Sequence, residues 1–172
     1  LTAQATYQAL AEGFTIGMRF HSAPVVRLSD AKPVQLGHAA RADGAWRLYA
    51  FADASGKLLG ELAAFLAESP NSPIRRFTPT GADIDSVIDV LAVFQQGHRE
   101  LKVEALPSIL LPRKGCFGLI DYEKAYCLDL KNGPDIFDLR GIDREKGALV
   151  VVRPDQYVSH ILPLDAHDEL SA

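Results

Sequence analysis

One stretch constrains the fold of this chain more than any other. It is AWRLYAFADASGKLLGELAAFLAES, residues 45–69. Trp46–Phe51 is aromatic-rich, with apolar side chains on both parities, which predicts a strand buried on both faces. Ser55-Gly56 breaks the strand. The following segment places Leu58, Leu62, Phe65 and Leu66 on one helical face. Ser69-Pro70-Asn71-Ser72-Pro73 ends that helix, since proline cannot continue it. A strand feeding an amphipathic helix returns by a right-handed crossover to a parallel neighbour.

The rest of the chain supplies that neighbour and more. DSVIDVLAVFQQ, residues 85–96, is apolar at Val87, Ile88, Val90, Leu91, Val93 and Phe94, and its β-branching favours a buried strand. Near the end, Leu149–Val152 and Tyr157–Leu162 flank Pro154-Asp155 and read as a hairpin. Pro163 stops it, and Asp165 is positioned to cap a final helix. Residues 97–146 are polar and turn-rich; YEKAYCLDL and PDIFDLRGI within them read as short helical or extended pieces. The order is strand, helix, strand, long excursion, hairpin, helix. This predicts an α/β fold: a thioredoxin-like mixed central sheet flanked by helices.

Residues 1–46 lack a clean period. SAPVVRL and KPVQLGHAA carry β-branched runs after prolines and read as strands or extended segments, and Asp43-Gly44 is a turn signal. The predicted organisation is therefore an extended connecting or docking segment, 1–46, followed by the thioredoxin-like domain, 47–172. The chain opens on Leu1, not Met, and stops at LDAHDELSA, in the first turns of a helix. Both ends are expected to be cut from a longer polypeptide.

The 172 residues are 48% hydrophobic and 23% charged, enough for a packed core and unlike a disordered chain. The net charge of −4 and the lack of a basic block argue against nucleic acid as a partner. No apolar run approaches the 20 residues of a membrane span. Neither a membrane partner nor a secretory leader is expected, and the predicted location is cytoplasmic.

The expected redox site lacks its chemistry. In a thioredoxin the cysteine pair occupies the turn after the strand; here those positions are Ala52, Asp53, Ala54, Ser55 and Gly56. A cis-proline would precede the terminal hairpin, but Lys146-Gly147-Ala148-Leu149 has none. Disulfide exchange requires a reactive thiolate. The two cysteines, Cys116 and Cys127, stand eleven apart, which matches neither CxxC nor a zinc motif.

Other chemistry is equally sparse. The five histidines, His21, His38, His98, His160 and His167, form no HExxH and no tight metal pair. His160 reads as a surface or partly buried strand residue. There is no GxSxG elbow, P-loop or GxGxxG fingerprint. Arg19, His21, Arg27, Asp30, Lys32 and His38 crowd residues 19–38, either as a docking loop or as a solvated connection. Arg153 and Asp155 are either a site pair or a simple turn pair. No catalytic, cofactor-binding or metal-ligating residue is assigned.

Three segments carry a resemblance. IGMRFHSAPVVRL, AKPVQLGHAARADGAWRLYAFAD and GALVVVRPDQYVSHILPLDA resemble, in this order, the C-terminal domain of flavin-dependent phenol hydroxylases. The likeness runs from about Gly13 to Ala166 and is sparse over 97–140. It implies a parent enzyme with FAD and NADPH that hydroxylates a phenolic ring, such as 3-hydroxybenzoate or phenol. FAD and substrate would sit in upstream domains of the same chain, and no cofactor in this segment. The C-terminal domain would be non-catalytic and serve dimerisation, with FADASGKLLGEL and the terminal hairpin as candidate contact surfaces. The alternatives are a free-standing thioredoxin-like enzyme using Cys116 or Cys127, and a stand-alone binding protein of that fold.

Overall fold

The computed structural model describes residues 5–131 and 133–172. Its strands are β1 (Pro24–Arg27), β2 (Pro33–Gln35), β3 (Trp46–Phe51), β4 (Ile88–Phe94), β5 (Arg113–Lys114), β6 (Leu119–Ile120), β7 (Ala125–Leu128), β8 (Ala148–Val152) and β9 (Val158–Leu162). Its α-helices are α1 (Lys57–Glu68), α2 (Pro73–Phe77), α3 (Ile136–Leu139) and α4 (His167–Ser171).

Seven strands form one mixed sheet in the order β2-β1-β7-β4-β3-β8-β9; β5 and β6 make a separate hairpin. β3, β4 and β7 run parallel to one another, and the flanking pairs are antiparallel. Along β3 the side chains alternate between two cores. Leu48 and Ala50 join the side covered by α1 and α2, with Leu59, Leu62, Leu66 and Ile74. Tyr49 and Phe51 join the other side, with Phe14, Leu36, Ile136 and Phe137. Burial on both faces is what the two-parity pattern of Trp46–Phe51 demanded.

Three sequence expectations need correction. Residues 24–35 do not merely connect: β1 and β2 belong to the sheet, and a boundary at 46/47 would cut β3 after its first residue. Phe14 also lies in the core, stacked on Phe20 at 4.8 Å, and Phe20 stacks on Tyr49 at 4.3 Å. Both runs are strands, as their β-branching allowed; β1 and β2 pair locally, and what the sequence did not show is that β1 joins the sheet beside the remote β7. Residues 1–4, in the same expected segment, lie outside the described residues.

The buried stripe of α1 is Leu59, Leu62, Ala63 and Leu66; Leu58 and Phe65 are only partly buried. Phe65 turns instead to the His167 ring, stacked at 4.5 Å. Asp165 does not cap α4, whose N-cap is Ala166 without a side-chain bond; the Asp165 carbonyl accepts the His167 N–H at 2.8 Å. Within the excursion both short pieces form as expected: AYCL is β7, buried at all four residues beside β4. PDIFDLRGI supplies α3, capped by Asp135, which accepts from the N–H groups of Phe137 and Asp138.

Candidate functional site

The turn between β3 and α1 is the first place to look, because chemistry in this topology sits at the carboxyl ends of parallel strands. Asp53 fills it. The residue is only 3% exposed. Its Oδ1 accepts the Leu59 N–H at 3.1 Å, and its Oδ2 accepts the Ser55 hydroxyl at 2.5 Å. Burial pushes the carboxyl pKa up, but the Ser55 hydroxyl and the N–H groups of Leu59 and Leu58 outweigh it. The group is held below the ordinary aspartate range and stays ionised at neutral pH. The amides that open α1 thus have an internal anion.

Two neighbours close the turn from the other side. The Gln95 side-chain amide donates to the Ala52 carbonyl at 2.9 Å and to the Arg144 carbonyl at 2.7 Å. Gly147, at φ 66°, brings its backbone against the end of β3. The arrangement has no thiol, and its one acid is a permanent anion, unsuited to proton transfer near pH 7.

The second place is at the opposite end of the parallel strands, a cleft of about 260 Å³. Arg47 on β3 and Asp89 on β4 are register partners, with Nε and Oδ2 3.3 Å apart. Lys124, just before β7, is 5% exposed and reaches Asp89 at 2.5 Å and Asp85 at 2.6 Å. Lys114 also pairs with Asp85, at 2.7 Å. The Arg47 guanidinium bonds both Asp43 oxygens at 2.8 Å. Burial raises the Asp89 pKa despite the Lys124 and Arg47 charges. For Lys124 burial acts downward, but Asp89 and Asp85 prevail and raise it. Each charge answers another, so the cluster ties the starts of β3, β4 and β7 together.

The model of the family described as "Phenol hydroxylase, C-terminal dimerisation domain" matches residues 1–172. The chain belongs to that family. Over its whole length, this dimerisation domain is 61% identical to a 3-hydroxybenzoate 4-monooxygenase of Comamonas testosteroni, and it spans 28% of that protein. It is 36% identical to the FAD-dependent monooxygenase terD of Aspergillus terreus, across 96% of this chain and 28% of the relative. Among solved structures it is similar to a thiol:disulfide interchange protein from Bacteroides sp., with a TM-score of 0.58. There the identity is 12%, over 92% of this chain and 89% of the other, so the likeness is one of fold. The dimerisation domain is thioredoxin-like.

Among the remaining sequence candidates of this dimerisation domain, Arg27 and His38 line the charged cleft and the others do not. Cys116 is exposed at the β5–β6 turn, whereas Cys127 is buried on β7, where burial pushes its thiol up to about 11. His21, His38 and His160 are exposed at separate places, and His98 and His167 are half-buried. No group of three or more His, Cys, Asp or Glu that could hold a metal occurs among the described residues. Arg27 pairs with Asp30 and Glu123, each at 2.6 Å, while Arg19 bonds Gln156 at 2.8 Å. Arg153 pairs with Asp155 across the exposed β8–β9 turn. No described helix is long and apolar enough to cross a membrane.

Sequence reasoning missed Asp53 and the Arg47–Asp89–Lys124 cluster. Signals existed for both. Asp53-Ala54-Ser55 ahead of an apolar-periodic run is a helix-start pattern. A single charge inside an otherwise apolar strand, as in AWRLYAF or VIDVLAVF, requires a buried partner.

Proposed function

We propose that this chain is the non-catalytic C-terminal module of an FAD-dependent aromatic monooxygenase, through which the enzyme forms a homodimer. The observation that carries the reading is the family match over all 172 residues. The relatives' names point to a monooxygenase, one of them acting on 3-hydroxybenzoate; the parent would hydroxylate a phenolic ring such as 3-hydroxybenzoate or phenol, as one step of aromatic catabolism. FAD would be bound, with NADPH as its reductant, in upstream domains of the same polypeptide, in the cytoplasm.

The geometry supports a scaffold role. A flavin's pyrophosphate binds where amides at a helix start are free to receive an anion. Here the amides at the start of α1 receive Asp53, whose charge would repel a phosphate. These residues do not fit the flavin, and no step of its chemistry is assigned to them.

The test is to isolate the native polypeptide carrying this sequence and determine its mass, bound flavin and association state. The expected result is a chain several-fold heavier than 18.7 kDa that is dimeric, holds FAD and oxidises NADPH in the presence of a phenolic acid. A flavin-free polypeptide of the segment's own mass would overturn the reading.

A further inference from the structure

The β5–β6 hairpin stands outside the seven-stranded sheet. It is nevertheless held in one place. Lys114 Nζ pairs with Asp85 at 2.7 Å and with Asp121 at 3.4 Å. The Gly115 N–H donates to Asp83 at 2.9 Å, and the Asp121 N–H closes the hairpin on the Pro112 carbonyl at 2.9 Å. A short hairpin tethered on its polar side to the body is a rigid platform for whatever its tip displays.

The tip displays apolar side chains. Phe117 is 85% exposed, Leu119 70% and Tyr122 46%. Among the described residues, no other six-residue window holds three exposed large hydrophobics, and none of the others is as exposed as Phe117. Exposed large apolar side chains concentrated in one short segment point to an interaction site.

We infer that this hairpin is the apolar anchor of the dimer, meeting the same hairpin of a second copy across a two-fold axis. The inference rests on the dimerisation reading above. The occupant follows from symmetry: an isologous interface requires a surface complementary to itself. A patch of Phe117, Leu119 and Tyr122 satisfies this, because it carries no charge that a copy would repel. Aromatic side chains bury roughly 150–250 Å² each, so this patch supplies about half of the ~800 Å² per partner of a standard interface. The hairpin is therefore the central cluster of a wider contact, where aromatic anchors concentrate the binding energy. The other two candidate surfaces offer less. Phe51, Ala52 and Asp53 are buried, and the β8–β9 turn presents the charged pair Arg153–Asp155.

The experiment uses the full-length flavoenzyme that carries the chain. Sedimentation equilibrium compares wild type with Phe117→Asp/Leu119→Asp, and with Met18→Asp, an exposed apolar residue elsewhere. The double variant should weaken the dimer at least a hundredfold with FAD content unchanged; Met18→Asp should not. In wild type, a short bis-maleimide should join two subunits through Cys116, and Cys116→Ser should abolish that band. This second readout needs no change to the apolar patch. A dimeric wild type whose double variant dissociates no more readily, or whose cross-linked band is absent or survives Cys116→Ser, overturns the hairpin assignment alone. A monomeric wild type overturns the dimerisation reading with it.

Discussion

Gly147 lies directly against the end of β3: a Cβ on it would stand 2.3 Å from the Phe51 carbonyl oxygen and 2.8 Å from the Asp53 N–H nitrogen. Its φ is 66°, a region that costs an L side chain about 1–2 kcal/mol before any clash is counted. These two atoms are backbone and cannot swing aside, and the Leu164 Cδ1 side-chain carbon stands 2.7 Å away as well. Gly147→Ala should therefore destabilise the domain by about 3 kcal/mol or more, read as a lower urea midpoint in the full-length protein. An unchanged midpoint would mean that the loop before β8 does not press on the β3–α1 turn.

Asp53 gives a prediction with a defined pH sign. Replacing an aspartate that receives helix-start amides with alanine costs about 1 kcal/mol. Asp53 has a folded-state pKa below its unfolded one. Its contribution is thus complete above the unfolded value, about 3.9, and disappears as pH falls through the lower folded value. Wild type should lose stability relative to Asp53→Asn as pH drops below about 4. Parallel melting curves of the two proteins between neutral pH and the acid range check this; a constant difference would exclude it.

The buried cluster should show the asymmetry of unpaired charge. Lys124→Met leaves Asp89 and Asp85 without their nearest cation, which costs about 3–5 kcal/mol for a buried pair. Adding Asp89→Asn should recover part of that loss, because the penalty lies mainly in the stranded carboxylate. A double-mutant cycle in urea measures the coupling, and strictly additive effects would show that the two groups act independently.

The thiols should differ sharply. Exposed Cys116 should react with an aromatic disulfide reagent in the native protein, whereas Cys127, buried and pushed up to about 11, should react only after unfolding. Replacing both with alanine should leave the hydroxylation proposed for the parent enzyme unchanged, since neither thiol stands near the β3–α1 turn in sequence or serves it with a bond. A loss of hydroxylation in that variant would require a role for a thiol that the fold does not provide.

Elements whose evidence is local were legible in the chain. Trp46–Phe51, Ile88–Phe94 and the two strands around Pro154-Asp155 announce themselves through dense apolar patterning and turn chemistry, and the structure contains all four. The missing thiols of the β3–α1 turn were equally plain. The fold alone settled which distant segments become neighbours. AYCL is too short to reveal that it lies beside β4 in the sheet, and PVVR, legible as an extended run, shows nothing of its pairing with β7. Leu62 and Leu66 of the expected α1 stripe are buried, but Leu59 and Ala63 complete it, and Leu58 and Phe65 sit at its partly buried edge. Arg47 and Asp89 are 42 residues apart yet share one register position. Periodicity is a property of neighbours in sequence, whereas a buried ion pair or a sheet order is settled by which remote groups can leave water together.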